Sequence, residues 1–139
     1  MKFYRVMALV LAILMVSCIM VACDKEPEET KTTIKVAFTI KDGPKGEILA
    51  QDAEYSYTYT GDAAPTITQV LIDVCEFYEL NIEFQDDTQQ VITKIGSKSV
   101  GKGEFWTYAL NGVNNLDNPM YIQTVANGDT IVVYLDSIN

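Results

Sequence analysis

The chain has 139 residues, with 19 acidic side chains against 10 lysines and arginines, a formal net charge of −9 and no histidine. This acidity argues against a nucleic-acid-binding protein, because such proteins need a positively charged surface to meet the phosphates. Histidine is the commonest metal ligand and a frequent general base. Its absence removes the usual nucleophilic pairs, so we expect no catalytic residues, no metal site, no resident cofactor and no enzymatic activity.

The N-terminal segment is typical of an export signal. Two basic residues within the first five precede an uncharged apolar run over residues 6–22. The end of this run, Met20-Val21-Ala22-Cys23, resembles the lipobox of bacterial lipoproteins. The resemblance implies that residues 1–22 are a signal peptide and that Cys23 is acylated with chains such as palmitate. Two or more chains bind a bilayer stably, so we predict an extracytoplasmic protein that is anchored to the cell membrane by lipid.

Three alternatives to this interpretation remain open. Cys18 also follows a small residue and could be the lipidated cysteine, although polar sequence follows Cys23 directly and favours it. The apolar run is at the short limit for a transmembrane anchor, and ordinary secretion is the third alternative. Each of them places the rest of the chain outside the cell. Without residues 1–22 the chain carries 8 lysines against 19 acidic residues, a net charge of −11.

Composition divides the remaining chain into a linker and one domain. Residues 23–31 are polar and mostly acidic, which predicts a flexible linker. Residues 32–139 are sufficient for one domain with a modest core. Apolar and polar residues alternate over residues 33–40 and again over residues 54–60. We therefore predict two strands that pair in a hairpin.

The second of these strands places Tyr55, Tyr57 and Tyr59 on one face. Tyrosine is favoured at protein interfaces, so this face could be an exposed contact surface. The opposite face carries only serine and threonine, so the tyrosines could instead be the buried side of the strand. The sequence leaves both interpretations open.

A change of period marks a helix. Apolar residues recur at three- and four-residue spacing from Thr66 to about Leu80, which predicts a helix whose apolar face, including Phe77, covers a sheet. Cys75 lies in this pattern and is expected to be a small buried side chain. Short extended segments are predicted over residues 82–84, 91–95, 105–110, 121–125 and 130–135. This order predicts an α+β fold with one helix on one face of a mixed sheet.

Two motifs in the C-terminal half resemble one known family. Residues 105–112 read FWTYALNG, and residues 127–134 read NGDTIVVY. A tryptophan strand with a tyrosine two residues later, an Asn-Gly turn and a final Gly-Asp turn before an apolar strand are similar to the transcobalamin-like C-terminal domain family. The resemblance covers about residues 32–139 and implies a β-grasp-like module, which is common in bacterial surface proteins.

The same resemblance implies a ligand. In the vitamin B12 carriers, this module closes over a corrin ring together with a separate helical barrel. A corrinoid such as cobalamin is therefore a candidate ligand, with Trp106, Tyr108, Asn111 and Asn114 as candidate ligand-binding residues. The chain departs from the family in two respects, because Phe105 stands where a glycine is frequent and no barrel sequence accompanies the module.

The residues themselves allow a second interpretation of this site. The flat indole of Trp106 could stack on a corrin or a sugar, but aromatic side chains also dominate cores. Residues 111–119 are rich in oxygen ligands that suit calcium, yet asparagine and aspartate are ordinary turn formers. We predict a turn that can border a binding site. The predicted function is a surface ligand-binding module, and the alternative is a non-enzymatic module for protein–protein contact or adhesion through a sheet edge.

Overall fold

The computed structural model of the chain describes residues 27–114 and 117–138. Within these ranges it contains eight strands and one helix: β1 (Lys31–Lys41), β2 (Ile48–Thr60), α1 (Ile67–Phe77), β3 (Ile82–Phe84), β4 (Ile92–Ile95), β5 (Lys98–Ser99), β6 (Glu104–Leu110), β7 (Val113–Asn114) and β8 (Thr130–Ser137). The predicted signal peptide, Cys23 and the first part of the predicted linker lie outside the described residues. Nowhere in the described part is a helix both long and apolar enough to span a bilayer.

A five-stranded mixed sheet in the order β2-β1-β8-β6-β7 forms the main layer. β1 and β2 pair antiparallel, as predicted, and β1 lies parallel to β8. Parallel strands need a long crossover connection, and here that connection contains α1 and a small antiparallel sheet made of β3, β4 and β5. The arrangement confirms the predicted α+β, β-grasp-like fold with one helix on a mixed sheet.

The core lies between α1 and one face of the main sheet. Successive residues of a strand point to opposite faces, so only alternate side chains of each strand enter it. The buried apolar set includes Ile34, Val36, Phe38 and Ile40 of β1, Ile131, Val133 and Leu135 of β8, and Ile67, Val70, Leu71 and Val74 of α1. Burying one such side chain stabilises a fold by about 1.5–3 kcal/mol, so this layer is a principal source of stability.

Side-chain and backbone hydrogen bonds define both ends of α1. Thr66 and Gln69 form a capping box, in which Thr66 N–H donates to Gln69 Oε1 at 2.8 Å and Gln69 N–H donates to Thr66 Oγ1 at 3.4 Å. After the helix, Leu80 N–H donates to the carbonyl of Cys75 at 2.8 Å. Phe77 was predicted on the apolar face but is 67% exposed, because Cys75 takes the buried position in the last turn.

The extended segment predicted over residues 121–125 is not a strand. Thr124 makes only an isolated bridge with Thr66. The carbonyl of Gln123 accepts a hydrogen bond from Ile67 N–H at 2.9 Å. This segment therefore satisfies the free N–H groups at the start of α1 and does not extend a sheet.

Candidate functional site

The candidate residues Trp106 and Tyr108 lie on β6 and face the core. Trp106 is 7% exposed and Tyr108 is 2% exposed, because both side chains belong to the hydrophobic core. The Tyr108 hydroxyl donates a hydrogen bond to the carbonyl of Asn118, whereas Nε1 of Trp106 is buried and meets no hydrogen-bond acceptor among the residues that the structure describes. Neither ring offers an exposed face for stacking, so the placement favours the core interpretation of both residues.

Asn111 and Gly112 form the turn between β6 and β7. Their φ angles are 51° and 80°, which is the left-handed pair that a type I′ hairpin turn requires. The Asn111 amide donates to Asp129 Oδ1 at 2.9 Å, and its oxygen accepts from Thr130 N–H at 2.8 Å. Both ends of the amide are engaged at the start of β8, so Asn111 fixes the turn.

Asn114 is the candidate residue that lies on an exposed sheet edge. Its Oδ1 accepts a hydrogen bond from the Tyr134 hydroxyl at 3.2 Å. Two large apolar side chains in the same part of the chain are exposed, Val113 at 60% and Ile122 at 58%. We define the hairpin rim as residues 111–114 together with residues 117–124. The hydrogen bond from Tyr108 to Asn118 ties the second segment of the rim to β6.

A second group of aromatic side chains lies where β2 meets α1. We define the β2–α1 aromatic surface as Tyr55, Tyr57, Tyr59, Phe77 and Tyr78. The rings of Tyr55 and Phe77 meet edge to face with centroids 5.7 Å apart, and those of Tyr57 and Tyr59 stack at 6.3 Å. Tyr55 is buried, but Tyr57 and Tyr59 are only half-buried against the core. The predicted tyrosine face is therefore partly core and partly accessible.

Two carboxylates hold this surface in place. The Tyr55 hydroxyl donates to Asp73 Oδ2 at 2.7 Å, and the Tyr78 hydroxyl donates to Asp52 Oδ2 at 3.1 Å. Burial, the hydrogen bond to Asp73 and the negative charge of that carboxylate raise the pKa of Tyr55 well above its ordinary value. Burial and the same charge raise the pKa of Tyr57. The hydroxyls therefore remain protonated donors at neutral pH.

Sequence reasoning missed four members of this arrangement: Asp52, Asp73, Phe77 and Tyr78. Asp73 and Phe77 are four residues apart on α1 and so share a helix face, which is a signal that could have identified them. Asp52 shares the inner face of β2 with Tyr55 only because a bulge shifts the register opposite Val36 and Phe38. No local sequence pattern marks that bulge.

The two surfaces offer aromatic area, amide groups and carboxylates. Burial raises the pKa of the Cys75 thiol to about 12, so this side chain is not a nucleophile at neutral pH. Among residues 27–114 and 117–138, no group of three or more cysteine, aspartate or glutamate side chains is placed to hold a metal ion.

Comparisons with known proteins show a likeness of fold. No family model matches the chain, and no curated protein matches it. Haptocorrin in complex with Cbi is similar at a TM-score of 0.52 and 14% identity, over 78% of this chain but only 26% of haptocorrin. A Ruminococcus gnavus ATCC 29149 protein, described as a candidate metal-binding protein, gives a TM-score of 0.47 and 14% identity over 76% of this chain and 99% of its own. At such identities the likeness to haptocorrin concerns the fold alone.

Proposed function

We propose that this protein is a non-enzymatic binding module held at the outer surface of a membrane by acylated Cys23, and that its ligand is a corrinoid such as cobalamin. The observation that supports the ligand class is the fold shared with haptocorrin, whose structure is in complex with Cbi. The transcobalamin-like motifs around Trp106 and Gly128, which lie on β6 and at the turn that leads into β8, support the same class.

The hairpin rim is the surface that we assign to the corrinoid. Trp106 and Tyr108 are buried, so the contacts would come from exposed apolar neighbours along the chain, namely Val113 and Ile122. A corrin ring has apolar faces that such aliphatic side chains complement. Asn114 follows Val113 on β7 and therefore points to the opposite face of the strand. The hairpin rim is a single surface, so a corrinoid bound to it would be contacted on one side, and we expect weaker binding than in a site that encloses its ligand.

Binding can be measured on the full chain purified in mild detergent, by calorimetric titration with cobinamide and with cyanocobalamin. We expect saturable binding, which the substitutions Val113→Asp and Ile122→Asp each weaken by about tenfold, or 1.4 kcal/mol. Val91→Asp is the matched control, because Val91 is also exposed but lies beside the separate small sheet. A titration without heat of binding for either corrinoid at high micromolar concentration would exclude this ligand class.

The lipid anchor has its own test. In cells fed an alkyne analogue of palmitate, we expect the wild-type protein and the Cys18→Ser variant to carry the label and the Cys23→Ser variant to lack it. If only the Cys18→Ser variant lost the label, Cys18 would be the acylated residue. An unlabelled wild-type protein would contradict the lipid anchor, and the corrinoid proposal would still stand.

A further inference from the structure

Among the described residues, no strand pairs with the outer edge of β2 along its second half. β2 is the first strand of the main sheet, and within that part of the chain only β1 pairs with it. The N–H groups of Lys35 and Ala37 on β1 donate hydrogen bonds to the turn that leads into β8. The backbone N–H and C=O groups of the odd-numbered residues of β1 therefore point away from β2. Backbone bonding alternates along a strand. The β2 residues opposite those odd-numbered positions therefore direct their N–H and C=O groups outward; they are Ser56, Thr58 and Thr60.

The first half of the same edge is covered by the protein itself. The Tyr78 hydroxyl donates a hydrogen bond to the carbonyl of Gln51 at 3.2 Å. The open edge, which we define as residues 56–60, has no such cover, and within the described residues its backbone makes no hydrogen bond outside the pairing with β1. Proteins usually protect free edges with lysine, proline or short strands. The open edge ends a 13-residue strand and contains neither lysine nor proline.

Charge is segregated around the open edge. Residues 47–93, which form β2, α1 and β3, contain 10 of the 19 acidic residues and no lysine or arginine. Asp73 accepts the hydroxyl of Tyr55 within the aromatic surface, and Glu76 and Glu79 flank Phe77 and Tyr78. Lys31 and Lys35 of β1 lie opposite Thr60 and Ser56, and Lys35 pairs with Glu54 at 3.6 Å, so part of this charge is offset. A strand that docks here would therefore meet aromatic rings and a net negative field.

We propose that the open edge binds an extended, lysine- or arginine-rich segment of a partner protein by strand addition. The partner's main chain pairs with the outward N–H and C=O groups of Ser56, Thr58 and Thr60. Alternate side chains of the partner then lie over the rings of Tyr57 and Tyr59, where a cationic head gains cation–π attraction. The carboxylates of β2 and α1 add long-range attraction that depends on salt. This inference stands independently of the corrinoid proposal.

The charge pattern argues against two other occupants. A second copy of the chain would bring an identical acidic segment against residues 47–93. The linker of the same chain is acidic as well, with four carboxylates over residues 24–29. Like charges repel, so a cationic segment complements the open edge better than either of these acidic ones.

A peptide titration on the full chain in mild detergent tests the proposal. The probe is a dye-labelled heptapeptide of alternating lysine and valine, and the readout is fluorescence anisotropy. We expect saturable binding that weakens as salt is raised. We expect no binding of the same peptide with glutamate in place of lysine, and none of a version N-methylated at alternate amides, because N-methylation removes the main-chain donors.

Substitution of one edge residue separates main-chain pairing from general charge attraction. Thr58→Pro removes an outward N–H without removing a bond to β1, and we expect peptide binding to weaken by about tenfold. Thr58→Ala is the matched control, because both variants lose the 2.8 Å contact between the hydroxyls of Thr33 and Thr58 but alanine keeps the N–H. We expect Thr58→Ala to bind within roughly twofold of wild type.

Three results would overturn the proposal. The first is equal binding of the N-methylated and unmodified lysine peptides, which needs no edge variant to fold. The second is wild-type affinity in a folded Thr58→Pro variant. The third is a concentration-dependent dimer in sedimentation that Thr58→Pro abolishes, since it would assign the edge to a second copy of the chain.

Discussion

Two strands of the main sheet carry aromatic residues at alternate positions, and the fold treats them differently. On β6, Trp106 and Tyr108 belong to the hydrophobic core and are almost fully buried. On β2, Tyr57 and Tyr59 lie at the edge of the same sheet and keep part of their rings accessible. The alternation determines which face of the sheet an aromatic side chain joins. What packs over that face at each position determines how much of the side chain is covered.

The largest expected effect comes from truncating one ring on each strand. We expect Trp106→Ala to lower the free energy of unfolding by about 3–5 kcal/mol, because it leaves a cavity in the core. Tyr59→Ala removes a half-covered ring, and we expect it to cost about 1 kcal/mol. Urea denaturation followed by circular dichroism measures both. Similar losses for the two variants would contradict the assignment of β6 as core and β2 as surface.

A titration at high pH tests the same contrast between core and surface. Burial holds the pKa of Cys75 at about 12, above its ordinary value of 9.0. The neutral, buried thiol contributes its full stabilisation below pH 9. This stabilisation is lost as the pH rises toward 12, because the thiol ionises at a lower pH in the unfolded chain than in the folded one. Between about pH 9 and 11, ionisation of this thiol alone should lower the free energy of unfolding by roughly 2–3 kcal/mol.

The control for this titration is Cys75→Ala, which lacks the thiol. Burial also raises the pKa of Tyr108, so some alkaline loss of stability should remain in the variant. We expect a shallower decline than in wild type when urea denaturation is repeated at several alkaline pH values. Identical slopes in the two proteins would show that Cys75 is not shielded from solvent.

Two asparagines near the turn between β6 and β7 differ in role: Asn111 holds the turn together, whereas Asn114 lies on the exposed edge. Asn111→Ala loses the hydrogen bonds to Asp129 and Thr130 and places alanine at a φ of 51°, so we expect a loss of about 2 kcal/mol. Asn111→Gly tolerates that φ and should lose about half as much. Asn114→Ala gives up one hydrogen bond at an exposed edge and should cost less than about 0.5 kcal/mol. Thermal unfolding of the three variants can rank them.

Local sequence patterns were sufficient for the elements that depend on local rules. The helix start at Thr66, the Asn111–Gly112 turn and the succession of the main strands along the chain were predicted, since capping residues, turn residues and alternation act over a few positions. The order of those strands within the sheet was not predicted. The length of β2 was not, because a bulge interrupts its alternation and turns Asp52 inward to meet Tyr78. The burial of Trp106 depends on neighbours that are distant in sequence, and no local pattern reports them.

A single hydroxyl ties β6 to the second segment of the hairpin rim. Tyr108→Phe keeps the ring in the core and removes only the hydrogen bond to the Asn118 carbonyl, so we expect a loss of about 1 kcal/mol. Amide hydrogen exchange should also become faster in the segment over residues 117–124, because its link to β6 is lost, while the amides of β1 and β2 should keep their rates. Unchanged exchange in that segment would show that residues 117–124 are held by the start of α1 alone, through bonds such as that from Ile67 to Gln123. This segment would then be a part of the helix cap, and its exposed side chains could be altered without disturbing β6.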